Sequence, residues 1–260
     1  MRPAVSCEEI GIILRGDPIM IVGKTDTGKI RQMNQDVFCH GELGESSCYA
    51  VVCDGMGGEK AGNVASRMAC DIICNRIQSG YRDGVSQNSI RDLLITAVTA
   101  ANAEVYSSAK SNPEFEGMGT TTVAALVEKS TLHIAHVGDS RAYVISKNEF
   151  TQVTRDHSLV QELLEQGKIS DEDAKKHPQR NLITRAVGVN SKVCIDYLET
   201  ALNPGDRVLI CTDGLTNNCD AADIYKTVLQ HPPGEVPERL IDLANAAGGP
   251  DNITVVLLTE

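Results

Sequence analysis

The stretch Ala50 to Gly58, A-V-V-C-D-G-M-G-G, is the starting point for interpreting this chain. Its first four residues are small or apolar and predict a buried β-strand. The strand ends at Asp54, and Gly55 opens a glycine-rich turn. A strand holds a carboxylate rigidly at its end, and glycines let main-chain carbonyls and water approach an ion, so the stretch predicts a cation site. By itself it is equally compatible with an Asp-Gly hairpin turn.

Composition narrows the functional classes. The 260 residues allow one large domain with a substantial core. A net charge of -11 argues against nucleic-acid backbones and anionic membranes as partners, and an aromatic content of 3% without tryptophan argues against base stacking. No apolar run has the length of a membrane span, and no signal-peptide pattern is present. We therefore expect a cytoplasmic protein that binds neither nucleic acid nor membranes, and we expect a monomer.

The nine cysteines lie mostly in apolar segments and form no C-x-x-C pair. This pattern is typical of reduced thiols in a protein core. We expect neither a disulfide framework nor a zinc site.

Hydrophobic periodicity predicts an alternation of strands and helices along residues 19–260. The predicted strands are 19–23, 49–53, 120–127, 132–137, 141–145, 149–153, 193–198, 207–212 and 253–258, and the predicted helices are 61–78, one starting near Ser89, 158–166, 170–175, 221–230 and 236–246. The connections are short and polar, which favours antiparallel neighbours. Residues 1–18 show no clear period and are interpreted as an N-terminal extension or an edge element. Residues 153–189 are interpreted as an insertion packed on the domain.

Several aspartates stand beside predicted strands. Asp54, Asp139 and Asp213 each follow an apolar strand, Asp251 opens the last one, and Asp36 ends a polar loop. As single residues they would be turn or cap residues, but four strand-linked aspartates make coincidence a poor explanation. Oxygen ligands without Cys/His spacing indicate a hard cation such as Mg²⁺ or Mn²⁺. Carboxylates that share a site repel one another unless cations neutralise them.

These aspartates and the residues around them resemble the motifs of the metal-dependent protein phosphatase family, also called the protein phosphatase 2C family, in its single-domain bacterial form. The matching stretches are R-Q-M-N-Q-D (31–36), D-G-M-G-G (54–58), G-M-G-T-T (117–121), V-G-D-S-R-A-Y (137–143), D-H-S-L-V (156–160), H-P-Q-R-N-L-I-T-R-A-V-G (177–188), C-T-D-G-L (211–215) and G-P-D-N-I-T-V-V (249–256). Each stretch alone is weak evidence for the family, whereas eight stretches in the family's order are specific evidence. The resemblance implies an α+β fold, a four-layer α/β-β/α sandwich of two antiparallel sheets flanked by helices, with 153–189 as the flap subdomain of a catalytic domain that spans 19–260.

The resemblance also implies roles for individual residues. Asp54 would bridge two metal ions, the Gly55 carbonyl would complete the ligands of the first, and Asp213 with Asp251 would hold the second. A third, weaker ion of bacterial relatives maps onto Asp139 together with Asp213. Asp36 would act through water from behind these ligands, and Arg31 would bind the substrate phosphate.

The implied activity is hydrolysis of phosphoserine and phosphothreonine in proteins that a serine/threonine kinase has phosphorylated. Two Mn²⁺ or Mg²⁺ ions would lower the pKa of a bridging water, whose hydroxide attacks phosphorus in line. The general acid stays open, because Met56 stands where eukaryotic relatives have His and Glu59 stands where bacterial relatives often have one. A catalytically silent phosphoprotein-binding module on the same fold is the alternative, and a phosphatase of a partner-switching stress or sporulation pathway is a third option.

Overall fold

The computed structural model describes residues 20–44, 46–58 and 61–259, so the predicted N-terminal extension 1–18 and Glu59 lie outside the described residues. Its strands are Met20–Asp26 (β1), Asp36–Glu42 (β2), Ser47–Met56 (β3), Gly119–Thr120 (β4), Thr122–Glu128 (β5), Thr131–Val137 (β6), Arg141–Ile145 (β7), Phe150–Gln152 (β8), Asp196–Ala201 (β9), Arg207–Cys211 (β10) and Ile253–Thr259 (β11). Its α-helices are Ala61–Gly80 (α1), Gln87–Ser111 (α2), Leu159–Glu165 (α3), Asp171–Lys176 (α4), Asp213–Thr216 (α5), Ala221–Gln230 (α6) and Val236–Ala246 (α7).

Two sheets form the centre of the fold, and the strand pairs in them are antiparallel. One sheet has the order β1-β11-β10-β7-β8, and the other has the order β2-β3-β5-β6-β9 with β4 paired to β3. The first sheet joins the two ends of the described chain, because β1 pairs with β11 from Met20↔Thr259 to Asp26↔Ile253. The aspartates that end or open strands of both sheets can therefore meet at one end of the sandwich.

Three apolar clusters separate four layers. One lies between the sheets and includes Val52, Ile134, Ile210 and Val256. A second packs α1 and α2 on the sheet of β3, and a third packs α6 and α7 on the sheet of β10 and β11. Burying one apolar face of each element against its neighbour is what stabilises such layers. The predicted α+β class, two antiparallel sheets flanked by helices, is confirmed.

Several predicted elements need correction. Residues 36–42 form β2, a strand that the sequence analysis did not predict, because its short mixed run F-C-H-G shows no clean alternation. The predicted strand 193–198 lies at Asp196–Ala201 instead. The second helix begins at Gln87 with Ser86 as its N-cap, whose hydroxyl accepts a hydrogen bond from the Ser89 amide. The segment 120–127 is interrupted between β4 and β5.

The cysteine prediction was also wrong in part, because Cys39 and Cys74 form a disulfide. Cys39 lies on the unpredicted strand β2, which packs against α1 and brings its sulfur to Cys74. The Cys70 sulfur lies 4.0 Å from that of Cys74. Six further cysteines of the described residues are free thiols, as expected.

The segment 153–189 carries α3 and α4 and returns to the core at its end. The His157 amide donates to the Gly138 carbonyl at 2.8 Å, and Val187 pairs with Thr120 as an isolated antiparallel bridge. These contacts attach the segment to the loop after β6 and to β4, at the same end of the sandwich as the aspartates. Its role as a flap stays a prediction. In the described residues, no helix has both the length and the apolar character needed to span a membrane.

Candidate metal and phosphate site

A cavity of about 730 Å³ opens at the end of the sandwich where the aspartates meet. Six of the seven predicted site residues line it: Arg31, Asp54, Gly55, Asp139, Asp213 and Asp251. They come from five separate parts of the chain: the β1–β2 loop, the end of β3, the β6–β7 turn, the start of α5 and the loop before β11. We call Asp54, Asp139, Asp213 and Asp251 the carboxylate cluster. The seventh residue, Asp36, lies behind them and is buried.

Main-chain and hydroxyl hydrogen bonds fix Asp54 at the end of β3. Its amide donates to the Thr121 hydroxyl at 3.0 Å, and its carbonyl accepts from the Thr121 amide and the Thr120 hydroxyl, both at 2.8 Å. Thr121 is held in turn by the Ser140 hydroxyl at 2.7 Å. These bonds replace regular strand pairing where β4 and β5 separate, and they leave the Asp54 carboxylate free to face the cavity.

Two glycines permit the close approaches that bring the aspartates together. A side chain at Gly55 would collide with the backbone of Gly62 at the start of α1 and with the Gln35 carbonyl. A side chain at Gly214 would collide with the main chain of Asn252, so glycine lets α5 lie directly against the loop before β11. Asp213 precedes Gly214 and Asp251 precedes Asn252, so this contact brings the two aspartates close together. The D-G pairs of the sequence therefore reflect packing as well as turn geometry.

Asp36 links the two sheets beneath the cavity. It lies opposite Asp54 in the β2–β3 register, so both side chains leave the same face of the sheet. Its Oδ2 accepts hydrogen bonds from the hydroxyls of Thr212 at 2.8 Å, directly after β10, and of Thr254 at 2.7 Å, in β11 of the other sheet. Its Oδ1 is buried without a protein partner. Burial, opposed by the two hydroxyls and assisted by the charges of Asp213 and Asp251, raises the pKa of Asp36 to about 7.

The carboxylate cluster carries concentrated negative charge. Burial, followed by repulsion from Asp213 and then Asp156, raises the pKa of Asp139 to about 8. Burial and repulsion from Asp251 raise the pKa of Asp213 to about 6. The pKa of Asp54 is well above its ordinary value, because it is buried and surrounded by other aspartates. Burial and mutual repulsion therefore favour the protonated forms of Asp54, Asp139 and Asp213 unless cations neutralise their charge.

The donor set fits divalent cations. The cavity offers carboxylate oxygens and a glycine main chain, as Mg²⁺ and Mn²⁺ prefer, and the orphan Oδ1 of Asp36 is an acceptor suited to an ion-bound water. In the described residues, one oxygen from each of Asp54, Asp213 and Asp251 does not lie within 4.8 Å of the other two, so these side chains as they stand do not form a ready-made site for a single ion.

Arg31 lies on the exposed loop between β1 and β2, and its guanidinium donates to Asp251 Oδ2 at 2.9 Å. The loop is tied to the last strand through Asn252. The Asn252 side chain donates to the carbonyls of Thr27 at 2.9 Å and Met33 at 3.0 Å and accepts from the Gln35 amide at 2.9 Å. Asn252 thus holds both ends of the segment that carries Arg31.

Sequence reasoning missed the residues that support the site. Asn252 follows Asp251 in the quoted motif, but only the fold shows that it holds the Arg31 loop. His157 accepts a hydrogen bond from the Gly138 amide through Nδ1 at 3.0 Å and contacts Asp196 through Nε2 at 3.1 Å, while Ser158 caps α3. It therefore supports the turn that carries Asp139. Met56, which stands where eukaryotic relatives have His, lines the cavity wall.

Comparison with known sequences identifies the family to which the sandwich and this site belong. The sequence profile described as Protein phosphatase 2C matches residues 28–236, and this chain belongs to that family. It is 40% identical over 238 residues to the serine/threonine phosphatase stp of Listeria welshimeri, across 90% of this chain and 93% of the relative. It is 36% identical over 237 residues to the protein phosphatase PhpP of Streptococcus pneumoniae, across 90% of this chain and 95% of the relative.

Comparison with solved structures leads to the same family. The serine/threonine phosphatase Stp1 of Staphylococcus aureus matches with a TM-score of 0.88 and 35% identity, covering 97% of this chain and 99% of that one. The catalytic domain of the serine/threonine protein phosphatase PstP, solved in complex with two manganese ions, matches with a TM-score of 0.80 and 31% identity, covering 93% of this chain and 99% of that one. The family and its fold are therefore established for this chain, and they support dependence on a metal.

Proposed function

We propose that this chain is a metal-dependent protein phosphatase that hydrolyses phosphoserine and phosphothreonine. The observation that carries the proposal is the convergence of Asp54, Asp213 and Asp251 with Arg31 around one cavity. These residues lie far apart in sequence, and the fold brings them together at one end of both sheets. The names of the similar proteins, serine/threonine phosphatases, support the same activity.

Each residue has a proposed task. Asp54, the Gly55 carbonyl, Asp213 and Asp251 would hold two divalent cations, and Asp139 with Asp213 would hold a third. Asp36 would orient an ion-bound water through its unpartnered Oδ1. When bound, the cations would supply Lewis-acid activation of water and neutralise phosphoryl charge.

Arg31 would bind the substrate phosphate. Its guanidinium lies on an exposed loop at the cavity mouth, and a planar fork of N–H donors matches two phosphoryl oxygens. Its guanidinium also pairs with Asp251 at 2.9 Å, next to the proposed cation ligands. A guanidinium that neutralises charge on the phosphoryl oxygens would favour displacement of the serine or threonine oxygen.

The finer features are also proposals. We favour Mn²⁺ or Mg²⁺, a monomer, a cytoplasmic location, and substrates phosphorylated by a serine/threonine kinase. Glu59 or an ion-bound water would protonate the leaving group. The fully preserved set of aspartates favours an enzyme over a silent phosphoprotein-binding module, because such a module does not need an intact ion-binding set.

Phosphate release from a phosphothreonine peptide tests the activity. We expect turnover with Mn²⁺ that is abolished by excess chelator and restored by added Mn²⁺. Turnover that survives full chelation would overturn the proposal. Equilibrium binding of the peptide without turnover would favour the silent module.

The variant Arg31→Lys tests the phosphate-binding role of Arg31. It keeps the positive charge and loses the planar fork of donors, so we expect kcat/KM to fall by about tenfold. Unchanged kinetic constants would contradict that role.

A further inference from the structure

Four large apolar side chains are exposed in the described part of the chain: Ile30 at 70%, Met33 at 39%, Leu182 at 48% and Val189 at 42%. Single apolar residues on a surface are ordinary. Here two of the four line the cavity of the candidate site, and a third is next to lining residues in the sequence. Ile30 and Met33 line its cavity, and Leu182 lies between two residues, Asn181 and Ile183, that also line it. We call residues 30–33 and 181–183 the rim segments.

The rim segments surround the place where a phosphate would bind. Ile30 precedes Arg31 directly, and Met33 follows it by two residues on the same loop. The Asn252 hydrogen bond to the Met33 carbonyl fixes this loop while leaving the Met33 side chain exposed. The loop therefore presents apolar side chains on both sides of the guanidinium at a fixed position.

A peptide whose phosphate reaches Arg31 must pass over these side chains. Residues in an extended peptide advance by about 3.3 Å each, so the neighbours of a phosphorylated residue fall within side-chain reach of the rim. The cation-binding residues and Arg31 distinguish only the phosphate, which all such substrates share. Selection among substrates must come from contacts outside the phosphate, and three rim residues that line the cavity, Ile30, Met33 and Ile183, offer apolar contacts beside the amide side chains of Gln32 and Asn181.

We propose that Ile30, Met33 and Ile183 form a specificity surface that selects phosphopeptides with apolar side chains directly beside the phosphorylated residue. This inference rests on the proposed phosphatase function and deepens it. Burial of an apolar side chain against these three residues removes apolar surface from both partners, whereas a serine or glutamate side chain in the same place buries little apolar surface.

The test compares three phosphothreonine peptides that differ only at the two flanking positions, with leucine, serine or glutamate at both. Phosphate release with Mn²⁺ gives kcat/KM for each, for the unaltered chain and for the double variant Ile30→Ser with Met33→Ser. Both side chains are exposed, so the change should not disturb folding. The variant Val189→Ser is the control, because Val189 is also an exposed apolar residue but does not line the cavity.

We expect the unaltered chain and the Val189→Ser control to prefer the leucine peptide over the serine peptide by about fivefold in kcat/KM, and the double variant to lose that ratio. Equal kcat/KM for the leucine and serine peptides, or a ratio that the double variant retains, would overturn the specificity surface while leaving the phosphatase function in place. Absence of phosphate release from all three peptides would contradict the phosphatase function itself, and the specificity surface with it.

Discussion

The carboxylate cluster and the rim segments form two parts of one cavity, and they are built differently. Each aspartate of the cluster stands at a strand or helix end and is partly buried, and Asp54 is held there by three hydrogen bonds from Thr120 and Thr121. The rim segments lie outside the named strands and helices and are mostly exposed, and the segment 30–33 is held by the Asn252 side chain together with the ion pair of Arg31 with Asp251.

The difference suggests a division of labour. The cluster sits where the main chain cannot move without disturbing both sheets, which suits chemistry that requires fixed ligands. The rim can change its side chains without affecting the core, which suits the selection of substrates. The predictions below test this division, starting with the largest expected effect.

The first prediction concerns the cluster. Asp54→Asn keeps the size and the hydrogen bonds of the main chain but removes the charge proposed to bridge two ions. We expect kcat/KM with Mn²⁺ to fall by at least roughly 100-fold, since even outer partners of metal ligands change activity by 10–100-fold. The matched control is Asp71→Asn on the exposed face of α1. Circular dichroism should show the same fold in both variants. Near-normal turnover in Asp54→Asn would refute the bridging role.

The second prediction concerns the connection between the two parts. Asn252→Ala removes three hydrogen bonds to Thr27, Met33 and Gln35, so the loop that carries Arg31 loses its fixed position. We expect kcat/KM on phosphopeptide to fall by about tenfold, with Mn²⁺ affinity less affected. Asn112→Ala, which removes only a cap on a short 3-10 helix, is the control. An Asn252→Ala enzyme with normal kinetics would show that the loop is positioned by other contacts.

The third prediction concerns the electrostatic cost of the cluster. In metal-free protein the pKa values of Asp36, Asp139 and Asp213 are about 7, 8 and 6, above the ordinary value of 3.8. The folded state then binds protons more tightly than the unfolded state, so this contribution to stability is complete below about pH 4 and is lost as the pH rises through 6 to 8.

We therefore expect the melting temperature of chelator-treated protein to fall by roughly 5 °C between pH 6 and pH 8. Mn²⁺ should restore it at pH 8, because the cation binds deprotonated carboxylates. Thermal unfolding monitored by circular dichroism measures both. A melting temperature that rises over this interval, or that Mn²⁺ leaves unchanged, would contradict the coupling of these carboxylates.

The sequence was informative where strong local patterns and the family's motifs coincide. Asp54, Asp213 and Asp251 stand beside long apolar runs, so both the strands and the carboxylates at their ends were predictable. Strand β2 was not, because residues 36–42 have no clear period, and its absence from the prediction also hid the approach of Cys39 to Cys74. The roles of Asn252 and His157 depend on contacts with segments far away in sequence, which no local pattern encodes.

The central claim is that Asp54, Asp213 and Asp251 together hold a pair of divalent cations, and anomalous diffraction from crystals grown with Mn²⁺ tests it most directly. We predict two manganese peaks about 3.5–4 Å apart in the cavity, with an Asp54 oxygen bound to both and with Asp213 and Asp251 bound to one of them. A single peak, or peaks that do not contact these three aspartates, would contradict the account.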